Sequence, residues 1–166
     1  MLPMELPKRK TNRIKYYDYS SGGAYFVTIC TEGRKNLLCT IVGDGSPVPK
    51  LPGQIAEQFI GMISTKYPSV SVRKYVIMPN HIHLLLLFCA PDGTGNPSPT
   101  LGNVVGWYKY NATKQINLQT GSIGTKLFQR SFHDHVIRGE KDYQKIWEYI
   151  EHNPLRWQEE CFYTAE

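Results

Sequence analysis

Residues 72–88 read VRKYVIMPNHIHLLLLF, and the alternation inside this stretch decides what kind of sheet the chain builds. Successive side chains of a strand point to opposite faces, so His81 and His83 look one way while Ile82 looks the other, into the apolar layer of residues 84–88. Two imidazoles are thereby presented side by side. An apolar run has little reason to carry them unless something polar occupies that face, and a divalent metal is the first candidate. Two hydrogen-bonded histidines at a strand edge are the alternative.

Working outward, residues 70–78 alternate as a strand, and Pro79-Asn80 turns or bulges before residues 81–88 form the next. Upstream, residues 54–67 (QIAEQFIGMISTKY) place Ile55, Phe59, Ile60 and Ile63 on one helical face, and Pro68 closes the helix. Residues 43–53 (GDGSPVPKLPG) read as a loop. Residues 24–31 (AYFVTICT) are a first strand, rich in aromatic and β-branched side chains, with a short continuation at 37–42. Downstream, the loop at 90–100 leads to a helix over 101–118, striped by Val104, Val105, Tyr108, Ala112 and Ile116. The HDHVIR segment forms a last strand that Gly139 ends. Residues 140–153 form a further helix with acidic residues in its first turn, stopped by Pro154. The order predicts an α+β fold, a ferredoxin-like antiparallel sheet (βαββαβ) with an appended C-terminal helix. It reads as one domain over 1–166, with a basic arm at 1–19 and a C-terminal stretch that packs back through Trp157 and Phe162.

A hydrophobic fraction of 41% and a charged fraction of 20% describe an ordinary globular chain. No run reaches membrane-spanning length and the N-terminal residues lack the apolar centre of a secretory signal, so a cytoplasmic protein with no membrane partner is expected. Cys30, Cys39, Cys89 and Cys161 form no C-x-x-C pair and read as reduced thiols in the core. Lysine and arginine outnumber aspartate and glutamate by 19 to 14, which suits a polyanion partner. The excess is concentrated in KRKTNRIK, with Lys8, Arg9, Lys10, Arg13 and Lys15 followed at once by tyrosines. Such a segment can neutralise phosphates while offering flat faces to unstacked bases; a solvated arm is the other reading.

Tyr149 and Asn153 are four residues apart on the last helix and share one face. If that face lies over His81 and His83, two imidazole nitrogens and an amide oxygen surround a metal, with a phenol beside it. This is a phosphoryl-transfer constellation, and mixed imidazole and oxygen ligation suits Mg2+ or Mn2+. Against it stands the usual fate of a tyrosine on an amphipathic helix, which is the core; the chain holds 11 tyrosines, Tyr108 and Tyr110 among them on another helix. His133 and His135 would either add ligands or bond to backbone.

Taken in order, GAYFVTICT, YVIMPNHIHLLL, RSFHDHVIRGEKDY and YIEHNPLRW resemble the REP-associated tyrosine transposases, a branch of the single-tyrosine HUH transposases. HUH denotes two histidines separated by a hydrophobic residue. The resemblance spans roughly residues 13–157. It implies that His81 and His83 are the metal pair, that Tyr149 is the nucleophile of the catalytic helix, and that Asn153 is the third ligand. It implies cleavage of single-stranded DNA at imperfect hairpins, a 5′-phosphotyrosine intermediate and a free 3′ hydroxyl. Lys8–Lys15 would then grip hairpin phosphates, with Arg73, Lys74, Lys109 and Arg138 as further contacts. Asn80 stands where some relatives carry glutamate. More distant single-tyrosine relatives are dimers whose tyrosine helix reaches the partner's histidines, so a homodimer is allowed. Two other classes stay open: an inactive hairpin-binding protein of the same fold, and a metal-dependent hydrolase using His81, His83, His133 and His135 with activated water.

Overall fold

The computed structural model describes residues 22–160, apart from 92, 94 and 96, together with residues 162–164. Its strands are β1 (Gly23–Cys30), β2 (Cys39–Ile41), β3 (Pro47–Pro49), β4 (Val70–Ile77), β5 (His81–Phe88) and β6 (His133–Ile137). The helices are α1 (Leu51–Lys66), α2 (Leu101–Thr120) and α3 (Glu140–His152), with single 3₁₀ segments at Glu32–Arg34 and Pro154–Glu159. The main sheet runs β4-β5-β1-β6, and every neighbouring pair in it is antiparallel. This is the ferredoxin-like strand order, with α3 appended. The basic arm and its lysines and arginines lie outside the described residues.

The alternation of side chains gives the sheet two covered faces. Tyr25, Val27 and Ile29 of β1 join Ile82, Leu84, Leu86 and Phe88 of β5 beneath Ile55, Ile60 and Ile63 of α1 and Val104, Tyr108 and Ala112 of α2. On the opposite face, Phe26, Val76, Leu85 and Ile137 meet Ile146 and Ile150 of α3. Strand β5 is therefore buried on both sides, which explains why its sequence is a nearly continuous apolar run. The two histidines interrupt that run on the α3 side. Among the described residues, no helix is long and apolar enough to cross a membrane.

Residues 39–49 depart from the sequence reading. The expected continuation of β1 is instead a separate two-stranded ribbon of β2 and β3, whose second strand carries two prolines that only a strand edge accommodates. Helix α1 starts earlier than its stripe suggests because Pro52 sits in the first turn, where its missing N–H costs nothing. Of the thiols, Cys30 and Cys39 are buried, whereas Cys89 is exposed rather than in the core.

Gly53 is required where α1 meets the chain before β2, since a Cβ there would collide with the Leu38 carbonyl oxygen. Gly61, in the same helix, has open space around it. Gly53→Ala is expected to destabilise by about 1–3 kcal/mol through overpacking, while Gly61→Ala stabilises by about 0.5–1 kcal/mol through helix propensity. Urea unfolding of the two variants measures both; equal effects would mean that the close approach at Leu38 carries no energy.

Candidate metal and tyrosine site

Register puts the two histidines in place. Across the central pair, His83 faces Thr28 and His81 faces Cys30, and residues opposite one another on antiparallel strands share a face. Both imidazoles are buried and converge, Nε2 to Nε2, at 3.1 Å.

Hydrogen bonds to the outer nitrogens fix what the inner ones can do. Asn80 Nδ2 donates to the Phe162 carbonyl at 2.6 Å and the Arg34 carbonyl at 3.3 Å, so Asn80 Oδ1 accepts, and His81 Nδ1 at 2.8 Å must carry the proton. The Nε2 of neutral His81 is then a lone pair. His83 Nδ1 lies 2.9 Å from the Thr28 hydroxyl, a group that donates or accepts. With the proton on Nε2, His83 hydrogen-bonds to His81; with the proton on Nδ1, two lone pairs face one another. Moving one proton across one ring thus converts a hydrogen-bonded pair into a bidentate donor. Two nitrogens each about 2.1 Å from a common ion at a near-right angle are about 3 Å apart, which matches the observed separation.

Burial keeps both rings neutral. The His81 pKa is lowered to about 3, chiefly by desolvation, opposed by the Asn153 amide and reinforced by the Arg34 cation. His83 is pushed well below its ordinary value by burial and by His81. Neutral imidazole is the form that binds metal.

Helix α3 supplies the remaining groups. Ile146 and Ile150 anchor it to the sheet, leaving Tyr149 and Asn153 on a flank that overlooks the histidines. The Tyr149 ring is 5.3 Å from the His83 ring and 5.9 Å from Phe26, centroid to centroid, yet the residue keeps 39% exposure. Asn153 is almost wholly buried. Its Oδ1 has no hydrogen-bond partner, although it approaches His81 closely enough to favour the protonated ring. A buried acceptor without a donor, beside two converging nitrogens, is the vacancy in bonding that a cation satisfies. His81, His83 and Asn153 therefore fit a divalent ion.

Sequence reasoning missed Glu160. The Pro154–Glu159 segment folds back, and the Glu160 carboxylate accepts from the Tyr149 hydroxyl at 2.6 Å and from Asn153 Nδ2 at 2.6 Å. Ligand atoms of His81, His83 and Glu160 all lie within 4.8 Å of one another. No spacing rule links Glu160 to the histidines, because a kink at Arg156 separates it from the helical register. Trp157 and Phe162 do pack back, their rings 6.0 and 4.6 Å from His81. Outside Tyr149 lies an open cleft of ≈ 370 Å³ whose lining includes the cations Lys145 and Arg156.

The other predicted residues are dispersed. Lys74 sits 4.3 Å over the Trp147 ring and 3.6 Å from Glu151, so it ties α3 to β4. Lys109 donates to the carbonyls of Gln129 and Arg130. Arg73, within edge strand β4, and Arg138, just after edge strand β6, are exposed, and the Arg138 N–H donates to Asp142. His135 also bonds to Asp142 at 2.8 Å. Among the described residues, the cluster suited to a metal contains neither His133 nor His135, which removes the motive for a four-histidine centre.

No family model matches the sequence. An uncharacterized Haemophilus influenzae protein is 30% identical over 171 residues, covering 94% of this chain and 93% of its own length. A second Haemophilus influenzae protein, named as a REP-associated tyrosine transposase, is 26% identical over 149 residues, or 84% of this chain and 74% of its own. In sequence the chain is similar to the REP-associated tyrosine transposases. A solved REP-associated tyrosine transposase bound to a REP hairpin has the same fold, with a TM-score of 0.59 at 21% identity over 87% of this chain and 73% of that one.

Two outcomes are expected. Thr28→Val keeps the strand but deprives His83 Nδ1 of its partner, and should weaken Mn2+ binding about 10–100-fold by titration calorimetry. In chelator, the depressed histidines make the unfolded state the better proton acceptor between about pH 6.5 and 3. Stability is then complete above pH 6.5 and falls on acidification, with a slope of up to about 1.4 kcal/mol per pH unit for each histidine. His81→Gln should flatten that slope in urea titrations; an unchanged slope would place the proton uptake elsewhere.

Proposed function

We propose that the protein is a metal-dependent single-stranded DNA endonuclease and strand transferase acting at hairpin DNA, with Tyr149 as nucleophile. The observation that carries this reading is the meeting, within one chain, of the exposed Tyr149 hydroxyl, two converging imidazole nitrogens and the unmatched Asn153 oxygen. The hairpin held by the related transposase of the same fold supports the choice of DNA.

His81, His83 and Asn153 would hold Mg2+ or Mn2+, with the Glu160 carboxylate at the margin of the same cluster. When bound, such an ion offsets negative charge on a phosphate oxygen. The chain's own residues do the rest. Glu160 orients the Tyr149 hydroxyl, while Lys145 and Arg156 line the cleft from which a phosphodiester would approach. The Tyr149 oxygen forms a bond to phosphorus as the bond to the 3′ oxygen breaks; the phenolic proton passes to the Glu160 carboxylate that accepts from it, and the 3′ oxygen takes a proton from solvent. The resulting 5′-phosphotyrosine retains the energy of the phosphodiester, so a 3′ hydroxyl can reverse the step without ATP. Tyrosine and histidines come from the same chain, so the reaction does not call for a homodimer with exchanged helices.

Incubation of hairpin DNA carrying a single-stranded flank with the protein and Mn2+ should yield a covalent protein–DNA adduct on denaturing gels. Tyr149→Phe should bind the hairpin as wild type does and lose cleavage on the order of 10⁴-fold or more. Strand cleavage persisting in Tyr149→Phe would instead identify water as the nucleophile, and binding without cleavage by wild type would leave a hairpin-binding protein.

A further inference from the structure

A second cleft, on the α2 side of the sheet, has the chemistry of a nucleotide site. Along α2, Tyr110, Thr113, Lys114 and Asn117 form one stripe at helical spacing, opposite the buried Tyr108, Ala112 and Ile116. The chain returning toward β6 forms the other wall, held by Asn117 Nδ2 donating to the Thr125 carbonyl at 2.7 Å. Between them is an open cleft of ≈ 380 Å³.

Three lysines surround this space. Lys109, Lys114 and Lys126 all line it, and among the described residues no carboxylate does. Glu32 reaches Lys126 from outside, at 3.2 Å. Lys109 is held in place by two carbonyls, and its pKa is lowered by burial and by the Lys126 charge. Lysines lining one cleft repel one another, as the Lys126 charge acts on Lys109, and an anion between them offsets that repulsion. At the rim, Tyr110 is 66% exposed, although a solvent-facing helix position gives an aromatic ring no folding role. Cations beside a bare aromatic ring are the combination that holds a phosphate and stacks an unpaired base.

We propose that this cleft binds an unpaired nucleotide of the DNA substrate, its phosphate among Lys109, Lys114 and Lys126 and its base on Tyr110. The assignment rests on the DNA reading above but not on the tyrosine chemistry. The cleft also adjoins the right part of the fold. Thr31 bridges Phe128, and the Gln129 N–H donates to the Cys30 carbonyl at 2.9 Å, so its wall is fastened to the end of β1 that faces the histidines.

The test is fluorescence anisotropy with a labelled hairpin carrying a single-stranded flank, from 50 to 200 mM salt, on Lys114→Gln, Tyr110→Ala and Tyr110→Phe. Both positions are exposed, and melting temperatures should not change. Lys114→Gln is expected to reduce the slope of log affinity against log salt by about 0.7, the value for one phosphate contact on a single strand. Tyr110→Ala should weaken binding roughly tenfold, and Tyr110→Phe, which keeps the ring, should restore it. Wild-type affinity and slope in both Lys114→Gln and Tyr110→Ala would overturn the proposal. Altered binding in a protein that forms no adduct would uphold the cleft and overturn the tyrosine mechanism, and a wild type that binds no DNA would overturn both.

Discussion

The pairing of β5 with β1 is the constraint on which the candidate site depends. A slip of one residue would turn His81 and His83 into the α1–α2 core and bring Ile82 and Leu84 to the α3 side. The register resists that slip because both faces of β5 are buried, one against Ile55, Ile63 and Tyr108, the other against Ile146 and Ile150. Packing energy on the far face thereby fixes the orientation of the imidazoles on the near one. The apolar far face carries most of the packing, while the near face presents the candidate ligands.

The near face is closed by two segments of different character. Helix α3 is docked by apolar contacts and by Lys74, whose ammonium lies over Trp147. The segment after Pro154 packs through Trp157 and Phe162 and is also held by polar contacts, among them Asn80, whose side chain reaches the Phe162 carbonyl while its oxygen accepts from His81. Asn80 therefore connects the tautomer of the first imidazole to the placement of the C-terminal return. A glutamate there would accept from His81 as well, but it would have no amide protons to give to the carbonyls of Arg34 and Phe162. The asparagine and the returning chain belong together, and Glu160 brings a carboxylate to the cluster by another route.

What the sequence discloses follows from the range of the physics involved. Alternation with period 2 and striping with period 3.6 are local, and they locate the paired histidines, the shared face of Tyr149 and Asn153, and the order of strands and helices. The β2–β3 ribbon escapes this reading because a proline-containing edge has the composition of a loop. Glu160 escapes it because its position depends on a 3₁₀ turn and on long-range hydrogen bonds, neither of which leaves a periodic trace. Lys109 shows the converse: a basic residue on a helix reads as a surface cation, whereas its ammonium is bonded to two carbonyls and half-enclosed.

The energetics of the cluster point the same way as its geometry. A buried acceptor left without a donor costs about 1–3 kcal/mol, and Asn153 Oδ1 carries that cost beside two rings whose charge burial suppresses. The Asn153 amide nitrogen has a structural role, donating to the Glu160 carboxylate, but that bond leaves the oxygen unmatched. A cation reaching the three atoms would satisfy the stranded oxygen and both lone pairs at once, with little reorganisation, because Thr28 and Asn80 already hold the rings from behind. The penalty borne by the folded chain would then be recovered on binding, which favours a ligand that accepts electron pairs over one that merely fills space.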